Sequence, residues 1–288
     1  MASLPLLASL MSATFQAQAN NQLPDIGTAG VAALPIEQEV RYGNAFMRFA
    51  RAGLPIIDDP VLSEYIDDLG QRLLTNADGV RFPFTFFLIN DPSINAAAFL
   101  GGRVKVHTGL FLYADNESEL ASVLAHEITH VTQRHIARYM EAQASSSAMT
   151  LAGLVGSIAL AVINPTAGIA ALQTTLGLSM QSAINYTRDN EYEADRIGMK
   201  TLYDAGFDPM GMANFFQKLA AEYRYASKPP EMLLTHPLPE TRISEARARA
   251  NSYGRRALPP SLDFWLAKVR IQVRYGTESP QALLTYFD

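Results

Sequence analysis

The residues His126-Glu127-Ile128-Thr129-His130 carry the most specific chemistry in the sequence. Histidines at i and i+4 of a helix differ by only about 40° around its axis, so both imidazoles can converge on one ion. Zinc accepts neutral imidazole nitrogens and keeps one position open for water where the site is catalytic. Glu127 lies about 100° from His126, at the edge of the same face. A carboxylate there can take a proton from such a water, so the pattern points to metal-assisted hydrolysis. The chain has no Cys, which excludes a disulfide framework, Cys-ligated zinc and a thiol nucleophile. Any metal must therefore be held by His, Asp or Glu. Only five His are present, which makes their spacing informative.

A third ligand is needed. A metzincin-type continuation requires Gly at position 133 and His at position 136, and the residues there are Gln133 and Ile136. His135 falls on the far side of a continuous helix, about 180° from His126, and is not expected to reach the metal. The next source of ligands is Asn190-Glu191-Tyr192-Glu193-Ala194-Asp195. Glu191 and Asp195 share a helix face at i and i+4. One of them can bind the ion while the other accepts a hydrogen bond from a ligand imidazole and fixes its tautomer. Glu193 points away from that face and is expected in solvent. His236 sits in a loop stiffened by Pro237 and Pro239. From there it can occupy the open metal position as a fourth ligand and gate, or donate to a developing oxyanion. Arg242, one turn into the next helix, is placed to orient the loop or a substrate carboxylate.

The elements that must position these groups follow from periodicity and caps. Glu37–Ala52 reads as a helix stopped by Gly53, and Pro60–Leu74 as a second one with Asp59 as N-cap. The Phe-rich run Phe82–Asn90 reads as a buried strand. Ala96–Leu100 and Arg103–His107 form a hairpin around Gly101-Gly102. The small side chains of its first strand suit an edge that a substrate peptide could join. Asn116 with Glu119 opens an amphipathic helix that runs to about Gln143 and carries both metal histidines. Met149–Ile163 and Ala167–Met180 are apolar but shorter than a spanning helix needs. Two buried helices, or a lip over a cleft that touches membrane, fit them better than transmembrane spans. Helices follow over Ser182–Asp204, Pro209–Tyr225 and Glu240–Tyr253. Leu258-Pro259-Pro260 reads as a boundary, with Leu262–Tyr275 and Pro280–Phe287 as a helix pair beyond it.

The length of 288 residues suits one large domain or two small ones. The content of 48% hydrophobic and 18% charged residues excludes a disordered chain. With 23 basic and 28 acidic residues, the charge of −5 lacks the basic footprint of a nucleic-acid binder. Met1–Ala19 carries no charge, holds a short apolar run and ends in Ala17-Gln18-Ala19. It reads as a secretory signal without its basic region.

HEITH at 126–130, NEYEAD at 190–195 and HPLPETR at 236–242 together resemble the Ste24/HtpX-type zinc metallopeptidases of the gluzincin group. NAAAFLGGRVKVHTGLF at 95–111 resembles that family's segment ahead of the active helix. The resemblance runs from about Arg41 to Ala250. It implies His126, His130 and Glu191 as zinc ligands, Glu127 as general base and an orienting role for Asp195. The signal-like start, the lack of long membrane helices and the helical continuation make the sequence most similar to periplasmic members that assist outer-membrane β-barrel assembly. That likeness implies misassembled outer-membrane proteins as substrates and contact with the barrel-assembly machinery through C-terminal repeats.

The expected fold is α+β and mainly helical, a zincin-like domain with a small sheet beside the HExxH helix. The expected division is a signal remnant at 1–19, a zinc metalloprotease domain at 20–257, and at 258–288 a linker and the start of a tetratricopeptide-like repeat. The expected function is a Zn²⁺-dependent endopeptidase of the periplasm in outer-membrane protein quality control. A chaperone or adaptor with incidental proteolysis, and an inner-membrane-associated protease, are the rival readings.

Overall fold

Local signals set most element boundaries in the computed structural model. It describes residues 34–142, 148–164, 166–168, 170–171, 180–225, 230–276 and 280–287. Positions 1–19 lie outside these residues, as do positions 172–179 of the second apolar stretch. The helices are α1 (Ile36–Gly53), α2 (Pro60–Leu74), α3 (Thr108–Tyr113), α4 (Glu117–Thr132), α5 (His135–Ala142) and α6 (Ala148–Ile163). They continue with α7 (Met180–Asp204), α8 (Met210–Tyr225), α9 (Glu231–Thr235), α10 (Glu240–Tyr253), α11 (Leu262–Tyr275) and α12 (Pro280–Phe287). The strands are β1 (Thr85–Ile89), β2 (Ala96–Phe99) and β3 (Arg103–His107). The architecture is therefore mainly helical with one small sheet, as expected.

Gly101 and Gly102 both take positive φ, +70° and +75°, which side chains rarely tolerate, and so turn β2 back onto β3. β3 pairs antiparallel with β2 and parallel with β1, giving the order β1-β3-β2 with β2 at an edge. Strand side chains alternate between faces. Phe86, Leu88, Val104 and Val106 enter the larger core, which α2, α4, α7, α8 and α11 complete. Phe87, Ile89, Ala97 and Phe99 enter a smaller core on the opposite face, beneath α1, α5 and α6. The sheet thus separates two apolar layers.

Helix α4 occupies the centre. Its Asn116 cap accepts from Glu119 N at 3.1 Å. The sequence pattern suggested an amphipathic helix, but fourteen of its sixteen residues are buried. It packs on α2, α7, α8 and β2, so no face is left to solvent. Nor does it run on to Gln143. The helix ends at Thr132, and Arg134 takes φ 54°, the left-handed region that non-glycine residues seldom adopt. The buried Glu39 carboxylate of α1 holds that residue, accepting from Arg134 Nε at 2.8 Å. The chain then turns into α5.

Helix α11, beyond the Pro259-Pro260 stretch, contributes Phe264, Ala267 and Ile271 to the larger core. One buried carboxylate, Asp59, both caps α2 and accepts from Arg270 Nε at 2.9 Å. Among the described residues, no helix is long and apolar enough to cross a membrane.

Candidate metal centre

Four elements bring the chemistry together. α4 supplies His126, Glu127 and His130, α7 supplies Glu191 and Asp195, the loop after α9 supplies His236, and α10 supplies Arg242. The two long helices can approach closely because Gly198 faces α4. A Cβ there would lie 3.1 Å from the Ala125 carbonyl oxygen and 3.2 Å from His126 N. His130 Nε2 lies 3.0 Å from His126 Nε2. Glu191 extends its oxygens to within 3.3 Å of each of those nitrogens. His236 Nδ1 stands 3.1 Å from Glu191 and 3.2 Å from His126 Nε2. One ligand atom from each of His126, His130, Glu191 and His236 falls within 4.8 Å of the other three.

The surrounding charges orient this set. Asp195 Oδ1 lies 3.0 Å from His126 Nδ1, the ring nitrogen that faces away from the cluster. Arg242 is nearly fully buried and grips Glu191 and Asp195 of α7. Its Nε and Nη2 each donate to Asp195 at 2.7 Å, and its Nη1 lies 2.8 Å from Glu191. The same Nη1 donates to the Pro237 carbonyl at 2.7 Å, which fixes the His236 loop to the acids. Burial alone would raise the Glu191 carboxyl, but His236 and Arg242 hold it well below the usual carboxylate range. Asp195 is likewise held down, against burial, chiefly by Arg242. Burial lowers the imidazoles of both His126 and His130, and the outcomes diverge. His130 falls to about 4. His126 rises to about 10, because the Glu191 and Asp195 carboxylates outweigh its desolvation.

Glu127 is split between two tasks. Its Oε2 accepts from the Ala98 amide of the edge strand at 2.9 Å. Its Oε1 is buried and has no hydrogen-bond partner among the described residues, with His236 Nε2 at 3.4 Å. This orphaned oxygen beside converging imidazole and carboxylate lone pairs suits a divalent cation with an associated water. An all-nitrogen-and-oxygen set of this kind suits zinc.

The sequence-derived set His126, Glu127, His130, Glu191, Asp195, His236 and Arg242 is thus one cluster. Two groups behave otherwise than the sequence suggested. Because the helix breaks at Arg134, His135 swings back under His130, and their Nδ1 atoms approach to 2.8 Å. Glu193 is not a free solvated side chain; it accepts from Arg138 Nη1 at 2.8 Å and lies 3.2 Å from His135 Nε2. A further polar cluster went unnoticed in the sequence. Lys105 is buried on β3 with its Nζ 3.0 Å from His107 Nε2. Burial lowers that lysine to about 8. Strand alternation could have placed both side chains on one face, but nothing in their types marks that face as buried.

A family model described as peptidase family M48 matches residues 60–250. The chain is 54% identical over 260 residues to the beta-barrel assembly-enhancing protease of Yersinia pestis, across 90% of this chain and 54% of that protein. It is 51% identical over 261 residues to the protein of the same name from Escherichia coli (strain K12), across 91% and 54%. It is 28% identical over 208 residues to metalloprotease LoiP of Escherichia coli (strain K12), across 68% and 74%. The chain spans about half the length of the beta-barrel assembly-enhancing proteases it matches.

Proposed function

The chain belongs to peptidase family M48, and from that premise we propose that it is a zinc-dependent endopeptidase of the periplasm that acts on outer-membrane β-barrel proteins during their assembly. The observation that carries the reading is the convergence of His126, His130 and Glu191 beside a buried, half-tethered Glu127. Those three residues would hold the ion, which when bound would polarise a carbonyl and acidify a water. Glu127 keeps Oε2 on the Ala98 amide and uses Oε1 to take a proton from the attacking water. It then delivers that proton to the leaving amine nitrogen. Asp195 and Arg242 keep the His126 ring and the Glu191 carboxylate in register. The β2 edge beside Glu127 is suited to a substrate strand. Chelation is expected to stop cleavage of an unfolded outer-membrane barrel protein, and added Zn²⁺ to restore it. A client cleaved equally well in chelator overturns the metallopeptidase reading.

His236 acts as a gate. Its Nδ1 stands among the ligand atoms while its Nε2 faces Glu127, so in this arrangement it covers both the fourth corner and the base. Replacing His236 by Ala is expected to raise turnover of an unfolded client, measured as the initial rate of fragment release. A fall in rate would reassign His236 to oxyanion stabilisation, and an unchanged rate would remove it from the site's chemistry.

The names of the relatives support an outer-membrane assembly role, in which misassembled barrels are the clients and the barrel-assembly machinery is the partner. We read the two helices beyond Pro260 as repeat-like, and the first of them, α11, packs on the protease core through Phe264 and Arg270. Segment 1–19 has the composition of a secretory signal. A four-ligand set is also what a structural site shows, so the adaptor reading has one observation in its favour. Full rescue of client assembly by a Glu127→Gln form would select it.

A further inference from the structure

We propose that His135 and Glu193 form a relay that positions His130 for metal binding, a role parallel to that of Asp195 behind His126. The inference rests on the reading of His130 as a zinc ligand. An imidazole that gives Nε2 to a cation must carry its proton on Nδ1 and direct it at an acceptor. For His126 the group behind the ring is a carboxylate, Asp195 Oδ1 at 3.0 Å. For His130 the group behind Nδ1, among the described residues, is another imidazole, His135 Nδ1 at 2.8 Å.

The proton inventory of this pair has one consistent solution. His130 Nε2 faces His126 Nε2 at 3.0 Å and Glu191 at 3.3 Å, so it keeps its lone pair for the ion. Its proton then lies on Nδ1 and is donated to His135 Nδ1. His135 must hold its own proton on Nε2, where Glu193 Oε2 lies 3.2 Å away. The carboxylate is in turn held by Arg138 Nη1 at 2.8 Å. Each donor meets an acceptor, and each ring has a single tautomer.

The backbone is built for this contact. A continuous helix would carry His135 to the far side from the metal. The left-handed turn at Arg134, secured from α1 by Glu39, returns it beneath His130. His135 is only 3% exposed, so water does not compete for its ring nitrogens. A His that merely filled core volume would need neither the Nδ1-to-Nδ1 approach nor a carboxylate at its other nitrogen.

The test is zinc affinity of the full chain, read by competition with a chelating dye. His135→Phe keeps ring volume and removes the acceptor. It is expected to weaken zinc binding by about 10–100-fold. His135→Asn, whose side-chain oxygen sits near the former Nδ1, is expected to recover much of that loss, and a role in packing alone would not predict that recovery. Glu193→Gln is expected to weaken binding when His135 is present and to add nothing in the His135→Phe background. Unchanged affinity in His135→Phe, or additive effects of the two substitutions, overturns the relay. If circular dichroism shows that His135→Phe does not fold, Glu193→Gln decides alone, and unchanged affinity there rejects the proposal. His130→Ala separates the two readings. Wild-type zinc binding by that variant removes His130 from the ligand set. Lost binding there beside normal binding in His135→Phe rejects the relay and leaves the ligand standing.

Discussion

Glu127→Gln is expected to lower peptide cleavage by about 10²–10⁴-fold, the usual worth of a positioned general base, while zinc stoichiometry stays at that of the unaltered chain. The substitution keeps the shape of the side chain, and an amide oxygen can still accept from the Ala98 amide. What it removes is the acceptor at Oε1, the buried oxygen with no hydrogen-bond partner among the described residues. Because Glu127 is not one of the converging ligands, the ion should remain. Elemental analysis beside initial rates on an unfolded client makes the measurement. A variant that cleaves normally places the base elsewhere, and one that loses zinc makes Glu127 part of the ligand set.

Arg242→Leu is expected to be the most damaging substitution outside the ligand set, at about 3–5 kcal/mol of stability. That is the cost of removing one partner from a buried ion cluster and leaving the other charges uncompensated. The guanidinium is buried, and Glu191 and Asp195 raise its pKa against the effect of burial. Without it, two buried carboxylates and the Pro237 carbonyl lose their shared donor. Urea unfolding of the zinc-free protein measures the loss, and a change no larger than that of a surface substitution would contradict the assignment. The pH dependence has a definite sign. Both carboxyls are depressed in the fold. The stability they contribute is therefore fully present above their unfolded pKa near 4 and is lost as pH falls through the lower folded values. Removing Arg242 takes away part of that depression, so acid unfolding of the variant should begin at higher pH.

The parts of the site legible in the sequence were those set by helical spacing. His126 and His130, and again Glu191 and Asp195, are i, i+4 pairs, and a period alone places each pair on one face. Pro237 and Pro239 marked the rigid loop of His236, and Gly101-Gly102 marked the turn between β2 and β3. The relay behind His130 was not legible, because it depends on a helix break without Gly or Pro. Gln133 and Arg134 are compatible with continuing the helix; the left-handed turn is stabilised by Glu39, 95 residues away in sequence. The burial of α4 on all sides was equally hidden. Its polar residues are mostly the chemical ones or short hydroxyl side chains that bond back to their own helix, as Thr129 does to Ala125 O. A pattern of apolar and polar residues then resembles an exposed face where there is none. Helix α3, at six residues, falls below the length at which periodicity can be read.

The bond from the Ala98 amide to Glu127 makes a strand's frame a determinant of proton chemistry. Strand geometry repeats every two residues, so a slip of β2 by one position would turn that amide toward β3 and bring a neighbour's inward-facing group outward. The carboxylate would then lose its anchor although every chemical residue remained. The little sheet thus works as a ruler: an error of pairing in it would displace the base's anchor together with the side chains that β2 gives to the two cores.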